Sequence, residues 1–369
     1  MREKTKIGIV GCGDISGIYL TNITQVFEEI EIAGVCDLIK ERSENAVSKY
    51  SLPRRYNDMH EMFADPEVDI VLNITRPYEH FGVSMAAIQA GKHVYSEKPL
   101  GASLDEGEKL RAAAKDKGVR LGGAPDTFLG AGIQTCRKLI DDGYIGTPVG
   151  ATAFMMSHGH ETWHPDPEFY YKYGGGPMMD MGPYYVTALV NLLGPVKAVS
   201  GMAKASFPTR TITSKPHYGT VVNVEVPTHI AGLMQFASGA IGTIIMTFDV
   251  YAAKLPRIEI YGSEGTLSVP DPNTFGGPVM LYRPERKEFM EFPLTFGYAE
   301  NSRGLGLADM AKALQTGRAS RADVALTFHV LEVMTGFTRA SEAGKQIDIS
   351  SSPERPALMS NQTMKGILD

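Results

Sequence analysis

Short apolar runs and amphipathic stretches alternate along the first third of the chain. Ile7, Ile9 and Val10 begin the pattern in a run over 7–10, and similar runs recur at 32–36, 69–74, 93–96 and 120–123. Runs this short, rich in Val and Ile and bounded by Gly, Asp or Ser, predict buried strands. The segments between them, at 15–27, 41–49, 78–90 and 103–117, carry apolar residues at helical spacing. Ser103 and Glu106 form a capping-box pattern at the start of the last segment, and Gly91 stops the one before it. Repeated strand–helix units of this length predict a parallel sheet with helices on both faces.

The rhythm changes near residue 125. A helix over 133–142 leads into the turn Gly146-Thr147-Pro148, and strands then dominate from 149 to about 292, with one embedded helix over 182–193. Helices at 305–315 and 324–343 follow, and the Ser-, Pro- and Met-rich tail after Ile349 reads as extended. The fold class is therefore α/β: a Rossmann dinucleotide-binding domain over 1–125, then an α+β domain over 126–369 with a large open, mostly antiparallel sheet. Residues 230–248 carry no charge and are long enough to span a bilayer. Ser238-Gly239 breaks that stretch as a turn, and Gln235, Thr243 and Thr247 interrupt it, so two antiparallel strands joined by a hairpin are expected there.

Composition narrows the class. At 369 residues the chain is too long for one ordinary core, which agrees with two domains. Hydrophobic residues at 43% and charged residues at 21% fit a globular protein. A net charge of -6 without any long Lys/Arg run argues against nucleic acid as a partner. Cys12, Cys36 and Cys136 have no CxxC or paired spacing, which speaks for a reducing compartment and against a disulfide scaffold or zinc cluster. The opening residues run straight into an apolar strand with no signal-peptide core, so a cytoplasmic protein is expected, away from the membrane.

The first strand ends in Gly8-Ile9-Val10-Gly11-Cys12-Gly13-Asp14-Ile15-Ser16-Gly17. Gly11 allows a tight strand-to-helix turn, and Gly13 lets the backbone of Cys12, Asp14 and Ile15 approach a pyrophosphate. The helix that follows turns its N–H groups and positive dipole end to that anion. Ser16 takes the third glycine position and is small enough for close helix–strand packing. Asp37, at the end of the second strand, stands where a carboxylate accepts hydrogen bonds from ribose hydroxyls and repels a 2′-phosphate. NAD is thus expected over NADP, although Lys40 and Arg42 lie nearby.

Further motifs extend this reading. Glu97-Lys98-Pro99, Thr75-Arg76-Pro77 with His80, Gly174-Gly175-Gly176 followed by Asp180 and Tyr184, and the turn from Ile260 to Leu267 join the glycine-rich loop. In combination the chain resembles the glucose–fructose oxidoreductase, inositol dehydrogenase and rhizopine catabolism (Gfo/Idh/MocA) family over nearly its whole length. The resemblance implies that Thr75, Pro77 and His80 form a loop along the cofactor and that Glu97 contacts the nicotinamide ribose. It implies that Lys98 is the active-site lysine and Asp180 the carboxylate on the embedded helix. Tyr184 stands where many members carry a histidine proton acceptor, and Thr187 where many carry another aspartate.

The residues themselves suggest the chemistry. Oxidising a secondary alcohol needs a hydride acceptor and a proton acceptor on opposite sides of one carbon. Lys98 sits at the carboxyl end of a parallel strand, where open α/β sheets bind ligands, and partial desolvation there is expected to lower its pKa. Asp180 and Tyr184 share a helix face at i, i+4 spacing. Tyr184 near a lysine ammonium serves either as acid/base or as a substrate hydrogen-bond donor; the base is Tyr184, Lys98 or a loop histidine. The loop containing His158, His160, Trp163 and His164 hangs over the cofactor and offers an aromatic face and hydrogen bonds to a sugar. No metal is expected from its histidines. Tyr170, Tyr171 and Arg303 are weaker candidates, and Asp126 either lines the cleft or caps the next helix.

The resulting expectation is an NAD-dependent dehydrogenase acting on a ring hydroxyl of a sugar, glycoside or cyclitol. Its alternatives are a glycosidase or lyase that uses NAD transiently and a catalytically silent sugar sensor. The open second sheet further predicts a homodimer or homotetramer.

Overall fold

The computed structural model describes residues 4–361 and 365–369; residues 1–3, and residues 362–364 of the expected extended tail, lie outside it. Its first unit is built from β1 (Thr5–Val10), α1 (Ser16–Gln25), β2 (Ile30–Cys36), α2 (Lys40–Tyr50), α3 (Met59–Ala64) and β3 (Ile70–Asn73). It continues through α4 (His80–Gln89), β4 (His93–Ser96), α5 (Leu104–Lys117) and β5 (Leu121–Gly123). The strands lie in the order β2-β1-β3-β4-β5, every neighbouring pair parallel. All four residues of β3 are buried, as a strand covered by helices on both faces requires. The order reverses between β1 and β3, which is where sheets of this kind hold their ligands. Ser103 caps α5 by accepting from the Glu106 amide at 3.3 Å, while the Glu106 carboxylate accepts from the Ala102 amide at 2.7 Å.

The second unit contains α6 (Ala131–Asp141), β6 (Pro148–Met156), α7 (Pro177–Leu193), β7 (Val196–Lys204), β8 (Thr209–Thr211) and β9 (Val221–Asn223). It adds β10 (His229–Phe236), β11 (Ile241–Thr247), β12 (Ile258–Gly262), β13 (Thr266–Val269), β14 (Val279–Tyr282) and β15 (Phe289–Phe292). It ends in α8 (Leu305–Thr316), α9 (Val324–Ala343) and β16 (Ile347–Asp348). Nine strands form one sheet, β15-β14-β13-β12-β6-β11-β10-β7-β16, antiparallel except for the β6–β11 pair. The uncharged stretch is the antiparallel pair β10 and β11, with Ile230 opposite Met246. No helix among the described residues is long and apolar enough to cross a membrane. One face of the sheet receives α9, whose Phe337 lies over Gly201 and Gly232, where side chains would collide with the ring. The other face leaves Met202, Leu233 and Ile241 exposed.

Helices α8 and α9 tie the two units together. Gly122 of β5 bridges Asp323 at the start of α9, and Gly107 of α5 sits so close to Leu331 that a Cβ there would lie 2.7 Å from its side chain.

Two elements differ from the sequence expectation. Helix α3 has only six residues, too few to display a helical period; its signal is local, the Asp58 carboxylate accepting from the amides of His60 and Glu61. Helix α7 begins at Pro177 rather than at 182. Gly182-Pro183 reads as a breaker, yet it lies inside the helix. Gly182 is there because a Cβ would come within 2.9 Å of the Met178 and Met334 sulfurs. Asp180 therefore falls in the first turn of α7 and its cap is Gly176.

Candidate active site

The loops after β1 to β5 all open at the carboxyl edge of the first sheet, and the residues singled out in the sequence collect there. Gly11 has φ 103°, and a Cβ on it would lie 2.8 Å from the Ile74 carbonyl oxygen, so both conformation and crowding require glycine. A Cβ on Gly13 would meet nothing within 4 Å; it would project into open space in front of the helix start. Ser16 donates to the Gly13 carbonyl through its hydroxyl at 2.6 Å and its amide at 3.0 Å, fixing the turn into α1. Asp14 and Ile15 are exposed at this end. The Asp37 carboxylate accepts from the Cys12 amide at 2.6 Å and the Ile39 amide at 2.7 Å. It thus braces the glycine-rich loop from the end of β2. The open cradle at Gly13, the helix start behind it and the carboxylate at the end of β2 fit a dinucleotide. Burial, then Asp37, raises the Cys12 thiol to about 12, so it is neutral beside the loop.

After β3, Thr75 is half-buried and its hydroxyl donates to Asn73 Oδ1 at 2.7 Å; Pro77 opens a short 3-10 turn. His80 does not face the groove as the resemblance implies. Its ring is buried, with Nδ1 2.8 Å from the Pro99 carbonyl and Nε2 3.1 Å from the Thr75 carbonyl. It joins the loops after β3 and β4 and positions both. Burial lowers its pKa.

Glu97 and Lys98 follow β4. Glu97 Oε1 accepts from the Tyr19 hydroxyl at 2.7 Å, which anchors it to α1. Lys98 Nζ lies 2.7 Å from both the Asp180 carbonyl and Asp180 Oδ1. Pro183 has no N–H to offer the turn before it, and helices open their carbonyls at such a position. The Asp180 carbonyl next to that gap takes the lysine. Burial acts to lower the Lys98 pKa, but Asp180, Tyr184 and Glu97 outweigh it and hold the ammonium charged, above the ordinary range. This corrects the expectation of a lowered lysine. Burial works to raise the Asp180 carboxyl, but Lys98 and then His160 overcome it and push it well below the usual carboxylate range.

Tyr184 lies beside Lys98 but not hydroxyl to ammonium. Nζ stands 5.2 Å from the ring centroid, a cation–π contact, while the hydroxyl interacts electrostatically with the Arg303 guanidinium. Burial raises the phenol pKa in spite of Lys98 and Arg303, so the hydroxyl keeps its proton. Arg303 is held by Asn273 Oδ1 at 2.7 Å and Asn301 Oδ1 at 2.8 Å. Asp126 is fully buried, and its Oδ2 accepts from the amides of Gly304 at 2.8 Å and Gly306 at 3.0 Å. It caps α8, far along the chain, rather than the adjacent helix, and does not line the cleft.

The loop after β6 reaches the same centre. His160 Nε2 lies 3.4 Å from Asp180 Oδ2, and its ring stacks on Tyr170 at 3.8 Å. Trp163 packs against His160 and His164 yet remains 62% exposed. His164 Nδ1 accepts from the Asp166 amide at 3.0 Å. His158 is turned aside, stacked on Tyr251 at 3.6 Å. Beneath the loop, buried Arg210 of β8 pairs with Glu161 and Asp249, and Glu161 also accepts from Tyr171. Among the described residues no group of three His, Cys, Asp or Glu side chains could hold a metal. The sequence reading missed Tyr19, Arg210 and the contact of Arg76 with Asp166; only Arg76, inside a quoted motif, carried any signal.

Comparison with known proteins agrees with this architecture. Residues 5–123 match the model of an oxidoreductase family with an NAD-binding Rossmann fold, and residues 133–268 match the GFO/IDH/MocA C-terminal domain. Inositol 2-dehydrogenase of Salmonella typhimurium is 30% identical over 158 residues, 42% of this chain and 45% of that protein, so the match spans about half the length of such relatives. Myo-inositol 2-dehydrogenase of Thermotoga maritima is 24% identical over 262 residues, 71% of this chain and 74% of that one. Among solved structures, levoglucosan dehydrogenase in complex with NADH superposes with a TM-score of 0.80 at 19% identity, covering 95% of this chain and 100% of that one. An NAD binding oxidoreductase from Klebsiella pneumoniae gives 0.81 at 20% identity, covering 95% and 100%. The chain belongs to the Gfo/Idh/MocA oxidoreductase family, carrying its NAD-binding Rossmann fold and its C-terminal domain.

Proposed function

We propose that the protein is a cytoplasmic NAD-dependent dehydrogenase that oxidises a secondary ring hydroxyl of a sugar, glycoside or cyclitol. Residues 1–125 form the cofactor unit in this reading, and 126–369 the substrate and oligomerisation unit. The observation that carries it is the Lys98–Asp180 pair, half-buried at the carboxyl end of β4 on the same sheet edge as the open Gly13 cradle. The named relatives, inositol and levoglucosan dehydrogenases, point to the same substrate class.

Gly11 to Ile15 would hold the pyrophosphate, Asp37 the adenosine ribose, Thr75 and Pro77 the middle of the cofactor, and Glu97 the nicotinamide ribose. NAD⁺, when bound, supplies the hydride acceptor. Lys98 gives two of its ammonium N–H bonds to Asp180 and has a third for the reacting oxygen. Nζ, an ammonium in the resting pair, first releases one proton to solvent; the freed lone pair then takes the alcohol's proton, with Asp180 Oδ1 holding the nitrogen in place. Tyr184 and Arg303 hydrogen-bond the same substrate from the other side, and Trp163 offers its exposed indole face to the C–H side of a ring. The apolar outer sheet face with Met202, Leu233 and Ile241 is the surface for a homodimer or homotetramer.

The test is a panel of cyclitols, free sugars and glycosides incubated with NAD⁺, followed by absorbance of the reduced cofactor. Net NADH formation with at least one class is expected. Consumption of a glycoside without net NADH would instead indicate transient oxidation. Trp163 is the only tryptophan, so a bound ring should also change the intrinsic fluorescence.

A further inference from the structure

Asp180 divides its carboxylate between two partners. Oδ1 holds Lys98, and Oδ2 faces a histidine that comes from the loop after β6 rather than from α7. On α7 itself, the position one turn beyond Asp180 is Tyr184, whose hydroxyl interacts with Arg303 rather than with Asp180. We propose that His160 is a positioning residue that acts on Lys98 through Asp180: by donating to the second carboxylate oxygen it orients the carboxylate and loosens its hold on the ammonium. The inference rests on the dehydrogenase reading for its effect on turnover but not for the contact itself.

Three observations carry it. The imidazole is fixed: it stacks on Tyr170 at an interplanar angle of 11°, and Phe248 meets it edge-on at 4.8 Å. Its backbone is also fixed, because the His160 amide donates to the Tyr171 hydroxyl at 3.4 Å and the next residue, Glu161, is clamped by buried Arg210. Finally, Nδ1 is buried with no hydrogen-bond partner among the described residues. A proton on Nδ1 would be a buried donor left unmet, which costs about 1–3 kcal/mol. The neutral ring therefore keeps its proton on Nε2, the atom that faces Asp180.

The consequence for Lys98 is electrostatic. A carboxylate that accepts an extra N–H is a weaker partner for a neighbouring ammonium. Removing the imidazole donor leaves Oδ2 uncompensated, so Asp180 binds Lys98 more tightly and the lysine yields its proton less readily. The other groups around the ring act in a consistent background. Lys98 and Tyr184 lie beyond Asp180, Tyr170 and Tyr171 approach from the short 3-10 turn Glu168–Tyr171, and His164 and Glu161 belong to its own loop. Arg210 acts through Glu161, and Asp14 reaches His164 and Tyr170 from the glycine-rich loop.

Two measurements decide the matter. In the first, ¹⁵N-histidine spectra of the whole protein report the tautomer of His160 in wild type and in Asp180→Asn. The expected result is an Nε2–H ring in wild type whose Nε2 resonance moves in Asp180→Asn. An Nδ1–H ring, or a resonance indifferent to Asp180, would overturn the contact. In the second, kcat/KM is followed against pH for wild type, His160→Ala and His160→Gln, with NADH binding measured alongside. His160→Ala should shift the acid limb up by about one pH unit. Gln, which keeps a donor, should recover most of that shift, and NADH affinity should stay within about twofold throughout. Loss of activity at all pH with no shift, or Gln behaving as Ala, would reduce His160 to packing. A wild type that oxidises nothing in the panel would defeat the dehydrogenase reading, while the spectra still decide the contact.

Discussion

Arg76 Nη2 lies 2.8 Å from Asp166 Oδ2, joining the turn after β3 to the loop after β6 across the mouth of the cleft. The guanidinium also stands 5.8 Å from the Phe169 ring and donates to the Tyr78 hydroxyl at 3.2 Å. Both partners are about half exposed, and such pairs contribute only about 0–1 kcal/mol to stability. The contact is better placed to act as a clasp between the cofactor lip and the Trp163 loop. Arg76→Ala should leave the melting temperature within about a degree or two of wild type. It should raise the NADH dissociation rate several-fold, as read by stopped-flow displacement, and high salt should do the same to wild type but not to the variant. Equal off-rates for wild type and variant would rule out the clasp.

Under the proposed function, Asp37 sets the cofactor preference. Its two oxygens already engage the Cys12 and Ile39 amides, so the carboxylate is held at the end of β2 rather than swinging free. A 2′-phosphate would meet that fixed negative charge. Asp37→Ala should narrow the preference for NAD over NADP and weaken NAD itself, because the brace on the glycine-rich loop is lost. Asp37→Ser should narrow the preference further with Arg42 nearby. Titration of NADH and NADPH fluorescence checks this, and a wild type that binds both equally would contradict it.

Much of this architecture is legible in the sequence because the cofactor unit is made of local signals. Each strand is a short buried run, most helices have a cap or a glycine stop, and the glycine-rich loop announces its own geometry. Helix α3 escapes because six residues show no period, and the start of α7 is hidden because Gly182-Pro183 mimics a break that packing against Met334 absorbs. The relations that are not legible join residues far apart in the chain. Asp126 caps α8 at Gly304 and Gly306, and Tyr184 has Arg303 as its electrostatic partner. Neither partner can be chosen before the chain is folded, so sequence alone assigns the same residue types to nearer roles.

Asp126 should make stability depend on pH. Burial raises its carboxyl to about 6, against the lowering effect of the Gly306 amide, Arg303 and the Gly304 amide. Below about pH 4 the group is neutral in folded and unfolded chains alike and imposes no penalty. Above that the unfolded chain ionises it freely, while the folded chain holds the proton until the pH passes about 6, and stability is lost across that interval. A carboxyl that titrates near 6 when folded and near 4 when unfolded costs roughly 3 kcal/mol once both are ionised. Asp126→Asn retains an oxygen for the two amides but cannot ionise. Urea unfolding should therefore find the variant's stability relative to wild type rising between about pH 4 and 6.5 and level above it. A difference that is constant across that range would mean the carboxyl titrates alike in both states.

Substitutions at Lys98 and Tyr184 test the proposed division between the proton's route and the binding of substrate. Lys98→Ala removes the only ammonium on Asp180 among the described contacts and leaves the Gly11–Gly13 turn untouched. Turnover should fall by several powers of ten while NADH binds nearly as before. Tyr184→Phe removes only the hydroxyl and keeps the ring beneath the ammonium. Because burial holds that phenol protonated above its ordinary range, it can donate a hydrogen bond but is poorly placed to take a proton. The expected loss in kcat/KM is about tenfold, the value of one hydrogen bond, with both limbs of the pH profile unmoved. A loss on the order of 10²–10⁴ in turnover with a displaced limb would be the signature of general base catalysis. That outcome would return the proton to Tyr184, and the charged state of Lys98 would then serve to draw the phenolate out once substrate is bound.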